Sequence, residues 1–446
     1  MTKFKSNESY PVWNSGAKVA FRFASIFFFL LAFPLDWKYW KLLLLTHWPR
    51  FQDLFQLTVY NPRFISAPKW GLASYANWGL FVAAAIVGGL IWGYFDWNRQ
   101  EYDKLYYWLR VLLRYRLAIG LFGYGIIKLF PLQFPQATLS DLNTNYMDFL
   151  PWKIYYLTNG AATAHYQQAL GLIEVLGGLL LLWRRTVTLG AGVAAAVLIN
   201  IVLVNFAYEI GDHVYASALL LIAFFLLTHD LPRLYNLLVR ERLAAADSFE
   251  PVFSTARARN SRILLKSFVI LFLVVYGAST YASYRRTNWP FPENAGLKGT
   301  AGYYNVREFA INGKTLPYSL LDPVRWQNVV FEKWNTISVR VYRPVTIDLA
   351  NPPIAYGVSD PGEYELAGNG GRHFYSYTAD PAKQTIALRG RNDKQESFSF
   401  QYQFLSDGAL LLTGVDQAGN SLRIVLDKVD KKYLYQIGRR KPVKLY

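Results

Sequence analysis

The sequence predicts an α-helical membrane domain followed by an antiparallel all-β domain, and three observations carry that prediction. Of its 446 residues 53% are hydrophobic and only 17% charged, less charge than a soluble chain of this length usually holds. Up to Tyr284, long apolar stretches recur, each near the ~20 residues that cross a bilayer as a helix. After Tyr284 the pattern changes to short alternating runs separated by Gly, Asn and Asp turns, the signature of strands.

The apolar stretches are taken in order. Residues 17–33, AKVAFRFASIFFFLLAF, follow Lys3 and Lys5 and are charged like a signal peptide. Pro34-Leu-Asp-Trp follows in place of a small-residue cleavage site, so the stretch reads as an uncleaved first span. The loop 34–71 holds Trp37, Trp40, Trp48 and Trp70, with a run of four Leu fenced by Lys41 and Arg50. Trp favours the headgroup level, so this loop reads as interfacial or re-entrant. A second span covers 72–95. The third runs from about Tyr106 to Phe130 and is ended by Pro131 and Pro135, since proline cannot continue a helix. The fourth covers about 163–183, the fifth 187–206, the sixth 214–227 and the seventh 263–284. The chain thus divides into two spans with a Trp-rich loop (1–104), a four-helix core (105–230), a basic loop (231–262), a seventh span (263–289) and a β domain (290–446).

Net charge is +17 and the sequence pI about 9.6. In a soluble chain this would suggest nucleic acid, but no RNA or DNA motif is present. Cytoplasmic loops of membrane proteins collect Lys and Arg, which accounts for the charge without a nucleic-acid partner. The loops with Arg110–Arg116, Arg184–Arg185 and Arg233–Arg262 alternate with the acidic or neutral loops 131–160 and 208–213. That places the N-terminus inside and the β domain outside. Loop 34–71 is discordant, since it would be external yet carries five basic residues. Cysteine is absent, which excludes disulfides, thiolate metal sites and Cys redox chemistry.

Two ionisable residues stand where lipid would surround them, Lys128 in the third span and Glu174 in the fourth. A charge at that depth is costly unless paired or facing a wet cavity. Counted from Arg114 and Arg184 at 1.5 Å per residue, Lys128 lies about 21 Å and Glu174 about 15 Å from the cytoplasmic face. A Lys side chain covers that difference. Tyr124 falls level with Glu174, and Asn200 on the fifth span falls near 22 Å. Lys128, Glu174, Tyr124 and Asn200 are therefore expected to meet, either as a buried pair that fixes packing or as a polar pocket. Arg116 sits one turn inside the boundary, positioned to snorkel to headgroups or to bind an anionic one. His165, Glu209, Asp212 and His213 cluster at external helix ends, but their spacing matches no metal-ligand pattern, so no metal is expected.

In the β domain, SFSFQYQF at 397–404 puts Phe398, Phe400, Tyr402 and Phe404 on one face, and 420–429 does the same with Leu422, Ile424 and Leu426. Asn312-Gly313 is a hairpin signal. Residues 406–408 and 417–420 supply further turns, so a barrel or sandwich is expected. About 155 residues are enough to bury a core of their own. The aromatic strand faces allow either a filled core or a barrel that holds an apolar ligand. No Ser-His-Asp arrangement, metal set or phosphate loop is present.

Residues 110–230 resemble the DoxX family of four-helix membrane proteins. The likeness rests on Arg116-x-x-x-Gly120, Gly-Ile-Ile-Lys at 125–128, Leu-Ile-Glu-Val-Leu-Gly-Gly at 172–178, and Asn200. It implies a bacterial inner-membrane protein. Some members are similar to a subunit of thiosulfate:quinone oxidoreductase, though this chain lacks the Cys that sulfur transfer would use. Two functions are therefore expected. One is redox-linked and quinone-associated, at Glu174, Lys128, Tyr124, Asn200 and Arg116. The other is a non-catalytic scaffold whose external β domain meets envelope lipid or a membrane or periplasmic protein.

Overall fold

A computed structural model describes residues 13–48, 50–68, 70–161, 164–243, 256–287, 289–349 and 363–433. It divides into two compact units. Among the described residues the first comprises those within 13–130 and 168–282, and the second those within 131–167, 283–349 and 363–433.

The first unit is helical. α1 (Ser15–Ala32) is N-capped by Asn14, whose side chain accepts from the Ala17 amide. α2 (Trp37–Leu45) and α3 (Phe51–Thr58) occupy the Trp-rich loop, followed by α4 (Ala76–Phe95) and α5 (Asp103–Leu129). Two short helices of the second unit intervene, α6 (Leu139–Leu142) and α7 (Pro151–Ala161). The helical unit resumes with α8 (Ala164–Leu182), α9 (Val187–Ala207), α10 (His213–Leu238) and α11 (Ala256–Arg286). Of the basic loop expected at 231–262, residues 244–255 lie outside the described residues. Its beginning continues α10 and its end opens α11.

Among the described residues five stretches are long and apolar enough to cross a membrane: Ser15–Leu45, Leu72–Phe95, Arg184–Ala207, His213–Leu238 and Ile263–Arg286. Leu80, Val82, Ile86, Val87, Leu90 and Ile91 of α4 all point outward, as lipid solvation requires. The protein is a multi-pass membrane protein. α5 and α8 are of similar length but carry more polar groups, Arg110, Arg114, Arg116 and Lys128 on one and His165, Gln167, Gln168 and Glu174 on the other.

The Trp-rich loop behaves differently in its two halves. Trp37, Trp40 and Trp48 are exposed, whereas α3 is packed inside the unit, with Leu54, Phe55 and Thr58 almost fully buried. Gly123 of α5 leaves room for it, since a Cβ there would press on the Thr58 side chain and reach within 3.2 Å of Val59.

The second unit is a closed antiparallel barrel. Its strands are β1 (Gly302–Ile311), β2 (Lys314–Thr315), β3 (Asn328–Phe331), β4 (Thr336–Arg340), β5 (His373–Asp380), β6 (Thr385–Gly390), β7 (Ser397–Phe404), β8 (Leu410–Asp416) and β9 (Ser421–Val429). Each pairs with its neighbour, and β1 pairs with both β3 and β9, closing a ring of eight. β2 extends β1 through a tight hairpin in which Asn312 and Gly313 both have positive φ, 50° and 77°, as a primed turn needs. Closure removes the exposed strand edges a sandwich would leave. The interior is filled by side chains that include Tyr304, Trp326, Phe331, Tyr375, Phe398 and Phe400, which pack into one core.

Residues 131–160, expected as a plain loop of the helical core, belong to the barrel unit. They form a strap over its outer wall. The chain Glu363–Leu366, α12, lies in the same outer layer, where Glu365 accepts from Thr336 of β4 at 3.0 Å. β4 is consequently buried on both faces, with Ile337 and Val339 in the core and Ser338 covered by Ser140 of the strap at 2.7 Å. The β domain therefore does not bury its surface with 290–446 alone. Its outer wall is completed by a segment taken from the sequence between two membrane helices.

Candidate functional site

The site is built on the crossing of α5 and α8. A Cβ on Gly171 would lie 2.6 Å from the Gly125 carbonyl, so only glycine lets the two backbones touch, as in small-residue helix crossings. One turn further along each helix stand Lys128 and Glu174. They form an ion pair, and both are buried, at 6% and 3% exposure. Glu174 accepts through Oε1, and among the described residues its Oε2 has no hydrogen-bond partner. An ionised carboxylate usually fills several acceptor positions, so this oxygen is a vacant acceptor inside an apolar bundle.

Tyr124 and Lys128 are four residues apart on α5 and share a face. The Lys128 ammonium lies 5.9 Å from the Tyr124 ring centre. The Tyr124 hydroxyl donates to Asp212 Oδ2 at 2.6 Å, and the Asp212 amide donates to Asn205 Oδ1 at 2.9 Å. The result is a polar file running from half-exposed Asp212 inward to Glu174. Three of the four residues expected to meet thus do so.

The fourth, Asn200, does not. It lies on an exposed face of α9, and Asn205 is the α9 amide that joins the file. Helix rise fixes depth, but the face depends on about 100° per residue, and five residues turn the helix by roughly 140°. Depth counting places the two asparagines about 7.5 Å apart but carries no information on which of them faces the file.

Arg116 is also placed differently from either expectation. Its guanidinium turns into the unit and donates to the carbonyls of Thr58 at 3.1 Å and Tyr60 at 2.6 Å, and to the Tyr215 hydroxyl at 3.2 Å. Thr58 ends α3, so Arg116 caps a buried helix C-terminus, donating to its last carbonyl, while the Phe55 carbonyl one turn earlier is bound by the Val59 amide and the Thr58 hydroxyl. Tyr215 completes the cap by donating to the Thr58 carbonyl at 3.2 Å. Arg116 thus anchors α3 rather than reaching a headgroup.

Asp212 and His213 serve separate contacts. His213 Nε2 is 2.8 Å from Ser74 Oγ, in a box of Trp70, Tyr75 and Phe206 rings. Among the described residues no group of three or more His, Asp or Glu side chains is arranged to hold a metal. Asp212, Asn205, Tyr215 and Thr58 were not singled out from the sequence as partners of the pair or of Arg116. Only Asp212 carried a signal, as part of an acidic patch between two apolar helices.

No family model and no solved structure matches the chain. A curated protein of Bacillus subtilis (strain 168), the uncharacterized protein YwoB, is 30% identical over 115 residues, which span 26% of this chain and 71% of that protein. By that likeness the chain belongs to the same family as the Bacillus protein.

Proposed function

We propose that the helical unit is a DoxX-like bundle of seven spans, with α5 and α8 crossing the bilayer beside the five apolar stretches. It lies in a bacterial inner membrane, with the N-terminus inside and the barrel outside. Its site binds a lipid-soluble molecule that carries hydrogen-bonding oxygens, of which a quinone is the fitting class, beside Lys128, Glu174 and Tyr124. The observation that carries this reading is the vacant Glu174 Oε2 next to a buried ammonium. The reduced form, a quinol, would satisfy both, its hydroxyl donating to Oε2 and accepting from the ammonium, whereas the oxidised quinone can only accept from Lys128. Arg116 and Asn200 drop out of the site, and Asp212 joins it through Tyr124.

The experiment is purification in mild detergent followed by solvent extraction and mass spectrometry. Wild type is expected to carry a quinone or similar isoprenoid in stoichiometric amount. E174Q is expected to fold and to lose it. Wild type free of any such molecule would defeat the reading.

A second reading, a scaffold that meets lipid or a protein partner through the barrel, is favoured by one feature. Tyr318, Leu320, Leu321 and Val324 are exposed on one loop, yet that loop is held rigidly by buried Arg325, which donates to the carbonyls of Leu316, Trp326 and Val306. Stable co-purification of a protein, with no small molecule, would select it.

A further inference from the structure

The strap 131–160 docks on the barrel through charged and polar side chains, not through an apolar seam. Glu332, which follows β3, points outward and receives three hydrogen bonds from the strap. These come from the amides of Leu139 at 3.2 Å and Ser140 at 2.7 Å, and from Ser140 Oγ at 2.7 Å. Glu332 is 2% exposed. Two further buried carboxylates stand in the same layer. Asp141 of α6 caps its own helix start and lies 3.9 Å from Lys153 of α7. Glu365 of α12 is paired with Arg391 at 2.6 Å and with Trp334. Lys153 is fully buried and donates to the Tyr364 carbonyl at 2.6 Å. Arg372 binds Ser338 of β4, Asn328 of β3 and the Asn143 carbonyl of the strap. Tyr433, beyond β9, accepts from Asn143 at 2.8 Å and also feels the Glu332 charge.

We propose that the strap is a proton-controlled latch, held on the barrel wall while Glu332 is protonated and loosened when it ionises. Among the described residues no cation lies within ion-pair distance of Glu332: Arg372 reaches it only electrostatically, through Ser338 and Ser140, and Lys153 is engaged at Tyr364 and Asp141, while Glu365 and Asp141 both repel a third negative charge. Burial first, and these two carboxylates after it, push the Glu332 carboxyl up to about 7, against hydrogen bonds from Ser140 that pull it down. An undocked, solvated Glu332 returns toward the ordinary carboxylate value, 4.5. The docked state therefore binds the proton more tightly. Its stability is fully present below about pH 4.5 and is lost as pH rises toward about 7. Linkage gives a fall in the docking constant of roughly 70-fold between pH 5 and pH 8. The strap is also the stretch of chain that joins α5, with Lys128, to α8, with Glu174, so release lengthens the free connection between the two helices of the ion pair.

The test is amide hydrogen exchange on the full chain in nanodiscs, corrected for the intrinsic pH dependence of exchange. Opening free energies are read locally this way. Protection over 138–144 should fall by roughly 70-fold from pH 5 to pH 8, while β7 at 397–404 keeps its protection. E332Q, which stays neutral, should show no such fall. E365Q, which removes a repelling charge, should move the midpoint to lower pH. Constant protection in wild type, an equal fall in E332Q, or an equal loss in β7 would each overturn the latch. If E332Q fails to fold, an unmoved midpoint in E365Q does so alone.

Discussion

Removing Lys128 by K128M leaves Glu174 without a hydrogen-bond partner, since its Oε2 has none and its Oε1 is bound only to Lys128. Removing Glu174 by E174Q leaves the ammonium at 6% exposure with a neutral amide. Breaking one side of a buried pair costs roughly 3–5 kcal/mol when the survivor stays charged, and less when it neutralises. The double variant K128M/E174Q buries no charge at all. It should cost clearly less than the sum of the two singles, with a coupling on the order of 2–3 kcal/mol. The close approach at Gly125 and Gly171 is untouched by these changes, so the α5–α8 crossing should persist in all three variants. The assay is reversible unfolding of the detergent-solubilised protein in rising SDS, read as a double-mutant cycle. Additive losses within ~0.5 kcal/mol would mean that the two residues do not act as a pair, and the proposed site would fall with them. Should the double variant fold yet lose its bound molecule, the pair is part of a binding site. Should it keep that molecule, the pair serves packing only.

Other expectations follow from single contacts. R116M should uncap α3 and cost roughly 2–4 kcal/mol, because it strips charge-assisted hydrogen bonds from two buried carbonyls; protease susceptibility at 51–60 would report it, and unchanged stability would refute the anchoring role. Gly171→Leu should force α5 and α8 apart and cost at least ~1–3 kcal/mol, measured in the same SDS titration. Residues 290–446 expressed alone should be markedly less stable than the same barrel supplied with a 131–160 peptide, since Glu332, Ser338 and Arg372 lose their strap partners; equal melting curves would show the strap to be dispensable. Reporter fusions after Tyr284 should be active only as periplasmic reporters if the barrel lies outside, and a cytoplasmic signal would reverse the proposed orientation.

Much of the helical unit was legible because its signal is local. A run such as LASYANWGLFVAAAIVGGLIWGYF has one use in a chain of this composition, and the observed α4 starts four residues inside it. The strands at 397–404 and 421–429 were legible from alternation, because one face of each meets the core and the other meets water. β4, Thr336-Ile337-Ser338-Val339-Arg340, alternates as well, but nothing along the chain marks that Thr336 and Ser338 are buried on the outer face too. The Lys128–Glu174 pair was legible because ionisable residues are rare in apolar helices and depth follows from rise. Its other neighbours were not, because contact also depends on helix rotation and on which helices adjoin, and neither is written in a linear spacing. Asn200 and Arg116 were misplaced for that reason.

By itself the sequence determined the apolar stretches, the turn at Asn312-Gly313, the absence of cysteine chemistry and the presence of two ionisable residues within largely apolar helices. These rest on composition, period and the solvation of single residues, all properties of a few neighbouring positions. Tertiary structure decided that the β domain closes into a barrel, that α3 is drawn inside the helical unit, and that 131–160 covers the barrel wall. Polar side chains such as Ser140, Asp141, Lys153 and Arg116 look solvated when read along the chain. Buried, each must find partners, and those partners lie 12 to 211 residues away, where only the folded chain can supply them.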